Sequence, residues 1–132
     1  MGTRNIQQLM PVDVTCSSVE NNEYQAWNAF DGNSQTRWSS AWADRQWLKA
    51  DFGETKHIDS IEIDWEAAYC SEYSVYFSDN GRDWAAVVYA VYGQGGTDAI
   101  NVDWNARYMM IGCTTRATVY GSSIYEVRVN GF

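Results

Sequence analysis

The chain has 132 residues, enough for one hydrophobic core but not for two. Aromatic residues make up 15% of it and charged residues 20%, which is the composition of a folded domain. The formal net charge of −8 argues against nucleic acid and anionic membrane surfaces as partners, because both attract clustered lysine and arginine. No apolar run reaches the ~18 residues of a membrane helix. No signal peptide is visible, so the N-terminus does not indicate a compartment.

Short strands dominate the predicted secondary structure. An N-terminal strand region covers residues 1–13, and residues 25–30 are predicted to form one or two helical turns. Residues 58–65 alternate apolar and polar side chains almost throughout, which is the period of a half-buried strand. Further strands are predicted at residues 72–77, 84–91, 98–104, 107–114 and 123–130.

The arrangement of these elements predicts an all-β fold, an antiparallel β-sandwich. Asn80-Gly81 lies between two predicted strands and is a strong hairpin signal. No heptad or solenoid repeat interrupts the series of short strands. With one proline and no linker, residues 1–132 are predicted to form a single domain.

The three cysteines allow two interpretations. Cys16, Cys70 and Cys113 are odd in number and lack CxxC spacing, which disfavours a zinc site. One disulfide and one thiol would suit a secreted protein. Three small buried thiols are the slightly preferred interpretation, because alanine or serine would fit equally well at such positions.

Catalysis finds little support among the residues. His57 is the only histidine, and its polar neighbours predict an exposed turn before a strand. No GxSxG, HExxH or P-loop motif occurs. Glu20 and Glu66 are the residue types of a glycosidase pair, but the sequence does not give their separation and the chain is short for a long substrate cleft. We therefore expect no enzymatic activity.

Residues 29–42, AFDGNSQTRWSSAW, combine features of a turn with features of a ligand site. Asp31 supplies a carboxylate, Gly32 permits a bend, and Asn33 and Thr36 supply further oxygens. Hard cations such as calcium take several oxygen ligands from a tight loop of this kind. Asp-Gly-Asn is also a common turn sequence without any metal, and the local sequence does not decide between the two.

Six motifs in order resemble a known family. They are AFDGNSQTRWSS, QWLKADFG, IDSIEIDW, YSVYFSDNGRDW, RYMMIGCT and IYEVRV, and the match runs from about residue 14 to residue 132. This series resembles the discoidin, or coagulation factor V/VIII type C, domain, and more narrowly a family 32 carbohydrate-binding module. The resemblance implies a galactose-binding-like jelly roll.

The resemblance also implies one structural calcium ion beside the loops. Its ligands would come from the loop after the predicted helical turn and from the last strand. By position they are Asn28, Asp31, Asn33, Thr36, Tyr125 and Glu126. Such an ion would fix the shape of the loop without apolar burial.

Two segments are similar to one branch of the family, modules attached to bacterial enzymes that act on chitosan and β-glucans. These are DWEAAY, at residues 64–69, and TTRATVYGSSIYE, at residues 114–126. The implied ligand site lies at the loop end of the sandwich. Its residues are Glu20, Arg37, Trp42, Glu66, Tyr69, Tyr120 and Ser122.

Some of these roles remain open in the sequence. Arg37 is favoured as a ligand clamp over a core ion pair because its fork makes paired hydrogen bonds. Trp42 is either a ligand platform or simple loop packing, whereas Trp38 is expected in the core. Ser122 stands where the branch often has an aromatic residue, and this would narrow the site.

The sequence therefore predicts a non-catalytic module that binds a polysaccharide chain end. A glucosamine-containing polymer or a β-glucan is expected, and two carboxylates suit the protonated amine of the former; a galactoside, an N-acetylated sugar or a protein partner are the alternatives. His57 does not match the ligand histidine of galactose-binding members. By resemblance, the module would be monomeric and would belong to a secreted or cell-surface multidomain enzyme.

Overall fold

The computed structural model describes residues 5–132, which form eight β-strands and one short 3₁₀ helix. All strand pairs are antiparallel, so the predicted all-β fold is confirmed. In chain order the elements are β1 (Gln7–Leu9), β2 (Asp13–Cys16), the 3₁₀ helix (Ala26–Phe30), β3 (Trp38–Ser39), β4 (Gln46–Trp65), β5 (Cys70–Ser78), β6 (Ala85–Tyr92), β7 (Thr97–Arg116) and β8 (Ser123–Gly131). Part of the predicted N-terminal strand region, residues 1–4, lies outside the described residues.

Two long strands, β4 and β7, run through both layers of the sandwich. Residues 46–51 of β4 pair with residues 108–113 of β7, and residues 48–51 also pair with β2. The later residues of β4 pair with β8 and with the first part of β7. The ladder shifts register between Asp51 and Lys56 and again between Ile58 and Ser60, which allows the strands to bend. The predicted strands at residues 98–104 and 107–114 are therefore one strand. The start of β4 was not among the predicted strands.

The core lies between the two layers. Side chains from both ends of β4, such as Leu48 and Ile61, belong to one buried cluster. Trp38 is 1% exposed, as predicted, and its Nε1 donates to the carbonyl of Ser18 at 3.0 Å. Replacing a buried tryptophan of this kind by alanine costs about 3–5 kcal/mol. Trp38 therefore ties the segment before the 3₁₀ helix to the core.

Cys70 and Cys113 form a disulfide, with their Cα atoms 5.8 Å apart. Cys16 is a partly buried free thiol. The preferred interpretation of three buried thiols was wrong. The disulfide joins β5 to β7, whose pairing is irregular between Cys70 and Tyr73, and this register is not readable from cysteine spacing.

His57 lies in β4 and not in a turn, so that prediction was also wrong. Its Nδ1 is 2.7 Å from Oδ1 of Asn105 and its Nε2 is 2.9 Å from Oδ1 of Asp103. The ring stacks on Phe132 with centroids 4.8 Å apart. His57 therefore supports the chain end, at the C-terminal end of β8.

The turn between β5 and β6 forms the predicted hairpin. Asn80 Oδ1 accepts hydrogen bonds from the backbone N–H groups of Arg82 and Asp83. Gly81 has φ of 77°, a left-handed conformation that suits glycine. No helix within residues 5–132 is long and apolar enough to cross a membrane.

Candidate functional site

A cavity of about 320 Å³ opens among the loops at the N-terminal end of β8. Four chain segments meet there, so its residues are far apart in sequence. The lining residues are Glu20, Arg37, Ser39, Trp42, Glu66, Ala67, Ala68, Thr118, Tyr120, Gly121 and Ser123. The cavity therefore combines two carboxylates, one guanidinium, two aromatic rings and three hydroxyls.

Each of the two carboxylates is held by one protein N–H group. Oε1 of Glu20 accepts from Nε1 of Trp42 at 2.6 Å. Oε1 of Glu66 accepts from the backbone N–H of Ala68 at 3.0 Å. Within residues 5–132, no donor reaches Oε2 of either glutamate. Each acid is thus oriented by the protein and retains one oxygen for a ligand.

Arg37 is held by an aromatic ring and a hydroxyl. Its guanidinium carbon lies 4.2 Å from the centroid of the Tyr24 ring, a cation–π contact. Its Nε donates to Oγ of Ser39 at 3.0 Å, and Ser39 is linked to Ser123 at 2.7 Å. No carboxylate of the described chain pairs with Arg37, so the core ion pair is not formed. Its terminal nitrogens remain available for a ligand.

Trp42 and Tyr120 form the aromatic part of the cavity. The two rings meet edge to face with centroids 5.1 Å apart. Trp42 is 56% exposed and Tyr120 is 52% exposed. The two exposed rings lie together beside polar groups and so offer a surface to a ligand.

Five of the seven predicted ligand residues meet in this cavity, and two do not line it. Ser122 is fully buried, with its hydroxyl 3.2 Å from Sγ of Cys70. Tyr69 packs against Gly95, and its carbonyl accepts from the backbone N–H of Ala117 at 3.1 Å. Ser122 therefore does not narrow the cavity.

Sequence reasoning missed several residues of the site. Ser123 was predicted only as the first residue of a strand, and Ser39 and Thr118 only as parts of motifs, although all three line the cavity. Tyr24 was not considered, although it lies thirteen residues before Arg37 and holds it. The sequence offered one signal, since Ser39 follows the Thr-Arg-Trp triplet directly.

The predicted cation ligands also come together, around Asp31. The Thr36 hydroxyl lies 2.5 Å from Oδ2 of Asp31 and 3.0 Å from the carbonyl of Asn33. It lies 3.5 Å from the carbonyl of Asn28. The carboxyl group of Glu126, on β8, lies close enough to that of Asp31 for the two groups to interact. The loop thus brings oxygens from the 3₁₀ helix, from the following turn and from β8 to one place.

One carboxylate oxygen at this place lacks a partner. Oε1 of Glu126 is buried and accepts no hydrogen bond within the described chain. Burial, together with the hydrogen bond and charge of Asp31, raises the pKa of Glu126 to about 7. Burial also acts on Asp31, but hydrogen bonds from Thr36 and from the backbone of Asn33 outweigh it and lower the pKa of Asp31.

This set of oxygens fits a hard cation. No group of three or more histidine, cysteine or acidic side chains suited to a metal occurs in residues 5–132, so a cation here would depend on carbonyls and a hydroxyl beside two carboxylates. The turn bonds expected without metal are present too, since Oδ1 of Asp31 accepts from the N–H of Asn33 at 2.9 Å. No contact among the described residues links Tyr125 to this group.

Comparison with known proteins identifies similar domains. The F5/8 type C domain family matches residues 13–127. Chitosan-binding module 1 of the chitosanase/glucanase from Paenibacillus sp. IK-5 is 35% identical, with a TM-score of 0.88 over 93% of this chain and 97% of the module. Module 2 of that protein, solved in complex with chitotriose, is 34% identical, with a TM-score of 0.87 over 92% and 97%.

A more distant structure has the same fold. The family 32 CBM from C. perfringens NanJ, solved in complex with galactose, is 18% identical, with a TM-score of 0.82 over 96% of this chain and 99% of that one. This likeness confirms the predicted galactose-binding-like sandwich. No curated protein matches the chain significantly.

Proposed function

The chain belongs to the F5/8 type C domain family, and from this premise we propose that it is a non-catalytic carbohydrate-binding module of the chitosan-binding type. The observation that carries the proposal is the pair of glutamates in one cavity, each with one oxygen free. About 35% identity to chitosan-binding modules over nearly the whole chain supports it.

The cavity chemistry fits an amino sugar. Trp42 and Tyr120 offer ring faces and edges to the C–H side of a sugar. The free oxygens of Glu20 and Glu66 accept charge-assisted hydrogen bonds from a protonated amine, which are roughly twice as strong as neutral ones. Arg37 donates to hydroxyls. The net charge of −8 adds long-range attraction for a polycation.

The cavity is closed enough to hold a few rings and is not a long groove, so we propose that it binds a chain end. The affinity of one module would be about micromolar to millimolar, since few polar contacts offset the entropy of binding. Calorimetric titration with tetramers of glucosamine, N-acetylglucosamine and glucose tests the proposal. Glucosamine should bind best; no binding by any of them would overturn it.

The alternative hypothesis that the two glutamates are the catalytic pair of a glycosidase requires its own test. Both line the same cavity, as a catalytic pair would. The proposal predicts saturable binding of chitosan and β-glucan oligomers without release of reducing ends. Hydrolysis that disappears in Glu66→Gln would contradict it, and a Glu66→Gln protein that still hydrolyses would indicate a contaminating enzyme.

We also propose that the oxygens around Asp31 hold a structural calcium ion. Asp31, Thr36 and Glu126 would bind it with the carbonyls of Asn28 and Asn33, while the role of Tyr125 rests on family resemblance alone. The buried, unpartnered oxygen of Glu126 supports this, because such an atom is costly without a cation or a proton. When bound, the ion would neutralise this carboxylate and tie the loop to β8. Thermal unfolding with calcium and with chelator tests it.

Within a larger multidomain protein, the module would serve as a tether to polysaccharide. We propose an extracellular location, which the Cys70–Cys113 disulfide supports because such bonds persist in oxidising compartments. A second module would raise the effective affinity by avidity. Pull-down on insoluble chitosan by one module and by a tandem pair would measure this gain.

A further inference from the structure

The aromatic part of the cavity comes from two separate loops. Trp42 belongs to residues 40–45, between β3 and β4, which we call the Trp42 loop. Tyr120 belongs to residues 117–122, between β7 and β8, which we call the Tyr120 loop. Each ring is more than half exposed, so the core does not hold either of them in place. Inside the cavity, Trp42 bonds to Glu20 and touches Tyr120, and contacts outside the cavity hold the two loops that carry these rings.

Arg116, the last residue of β7, bonds to both loops. Its Nε donates to Oδ1 of Asp44, in the Trp42 loop, at 2.9 Å. Its Nη1 donates to the carbonyls of Val119 at 3.2 Å and of Tyr120 itself at 3.4 Å. One guanidinium therefore links the two loops near their tips, in addition to two hydrogen bonds that join Ser40 to Ser122 directly.

Asp44 is anchored in turn by two donors. Its Oδ1 accepts from the backbone N–H of Arg116 at 3.0 Å as well as from the side chain. Those bonds hold the pKa of Asp44 below its usual range, so the carboxylate stays ionised. The next residue, Arg45, has φ of 62°, a left-handed conformation unfavourable for a residue with a side chain. The anchor at Asp44 thus lies where the backbone turns into β4.

From these contacts we infer that Asp44 and Arg116 are positioning residues for sugar binding, which hold Trp42 and Tyr120 at the spacing that a sugar ring requires before the ligand arrives. This inference rests on the proposed function. Neither residue lines the cavity, so both act through the loops. A preorganised site does not have to order its loops when it binds, and its affinity is higher for that reason.

The chain contains a matched control for this pair. Asp51 and Arg107 also form an ion pair between β4 and β7, with Nε to Oδ1 at 2.9 Å and Nη2 to Oδ2 at 3.2 Å. Neither residue lines the cavity. The Asp51–Arg107 pair has two parallel bonds and is at least as buried as the Asp44–Arg116 pair, so its loss should affect global unfolding at least as much. Only the Asp44–Arg116 pair should affect binding.

The experiment is a double-mutant cycle on the dissociation constant of glucosamine tetramer. Asp44→Ala and Arg116→Lys should each weaken binding roughly tenfold, and the double variant should be no weaker than the worse single one, because the two residues act as a unit. Lysine retains the charge of Arg116 but lacks the fork that reaches both loops. Asp51→Ala and Arg107→Lys should bind as the parent protein does.

A second measurement needs no sugar. The indole N–H of Trp42 donates to Glu20 in the free protein, so its exchange with solvent reports the order of the Trp42 loop. In Asp44→Ala and Arg116→Lys this exchange should be at least several-fold faster than in the parent protein, with an unchanged thermal midpoint. Parent-like exchange and affinity in both variants would overturn the inference. Failure of the parent protein to bind any sugar would overturn the proposed function, whereas unchanged indole exchange would refute the loop-ordering role by itself.

Discussion

The cavity and the Asp31 loop both use two carboxylates, but they use them in opposite ways. In the cavity, Glu20 and Glu66 each receive one N–H from the protein and keep one oxygen open. At the loop, Glu126 is 4% exposed and one of its oxygens has no partner among the described residues. The open oxygens are available to a ligand that comes and goes, whereas the buried oxygen requires a permanent proton or cation. The exposed carboxylates thus suit ligand recognition, whereas the buried carboxylate suits a structural role.

The largest expected effect is at the proposed calcium site around Asp31 and Glu126. Removing calcium should lower the thermal midpoint by roughly 10 °C, because saturation at 1,000 times the dissociation constant contributes about 4 kcal/mol. Asp31→Ala should have the lower midpoint from the start and should not respond to chelator. Differential scanning calorimetry with and without chelator measures both. If chelator leaves the thermal midpoint of the parent protein unchanged, the proposed calcium site is refuted.

The next largest effect is expected in the aromatic part of the cavity. Trp42→Ala should weaken binding of every sugar tetramer roughly tenfold or more, because it removes a stacking face that does not depend on ligand charge. Trp27 is a matched control, since it is 42% exposed and does not line the cavity. Titration of Trp27→Ala should give parent affinity. Equal loss in both variants would show that Trp42 is not a platform.

A smaller effect on thermal stability should appear when the pH of the metal-free protein is changed. Burial and Asp31 raise the pKa of Glu126 from 4.5 to about 7, so the folded state holds a proton that the unfolded state has lost. This contribution to stability is complete below about pH 4.5 and is lost as the pH rises through about 7. In calcium-free buffer, the thermal midpoint of the parent should fall by a few degrees between pH 5 and 8 relative to Glu126→Gln. Parallel curves would contradict this.

The smallest expected effect is at Ser122. Its side chain faces Cys70 and not the cavity, so Ser122→Ala removes no group from the cavity and should leave the affinity for glucosamine tetramer within about twofold of the parent value. The same titration that serves for Trp42→Ala measures it. A large loss would mean that this buried hydroxyl supports the loop on which Tyr120 lies.

These contrasts also show what could be predicted from the sequence. Arg37, Trp42 and Glu66 were found because they lie in short motifs whose order resembles a family. The inward orientation of Ser122 could not be found in that way. It follows from the close passage of Gly121, where a Cβ would lie 2.4 Å from the carbonyl of Ser40, and such an approach depends on the folded loops.

The strands of the fold were predictable in part. Alternation identified the later part of β4, and Asn80-Gly81 identified the hairpin after β5, since both are local signals. The continuity of β7 was missed because its polar middle, near Asn105, reads as a break. In the structure, Asn105 remains in the ladder opposite His57, beside the register shifts that bend the strand. The disulfide was missed for the same reason, as it depends on the register of β5 against β7.

The central claim is that the open oxygens of Glu20 and Glu66 recognise a protonated amine. The most direct measurement is the ratio of dissociation constants for N-acetylglucosamine tetramer and glucosamine tetramer, taken for the parent and for Glu66→Gln. The amide keeps the shape of the side chain and removes its charge. The parent ratio should exceed about ten and should fall several-fold in the variant, since a charge-assisted bond contributes more than a neutral one. A ratio near one in the parent, or the same ratio in both proteins, would contradict the claim.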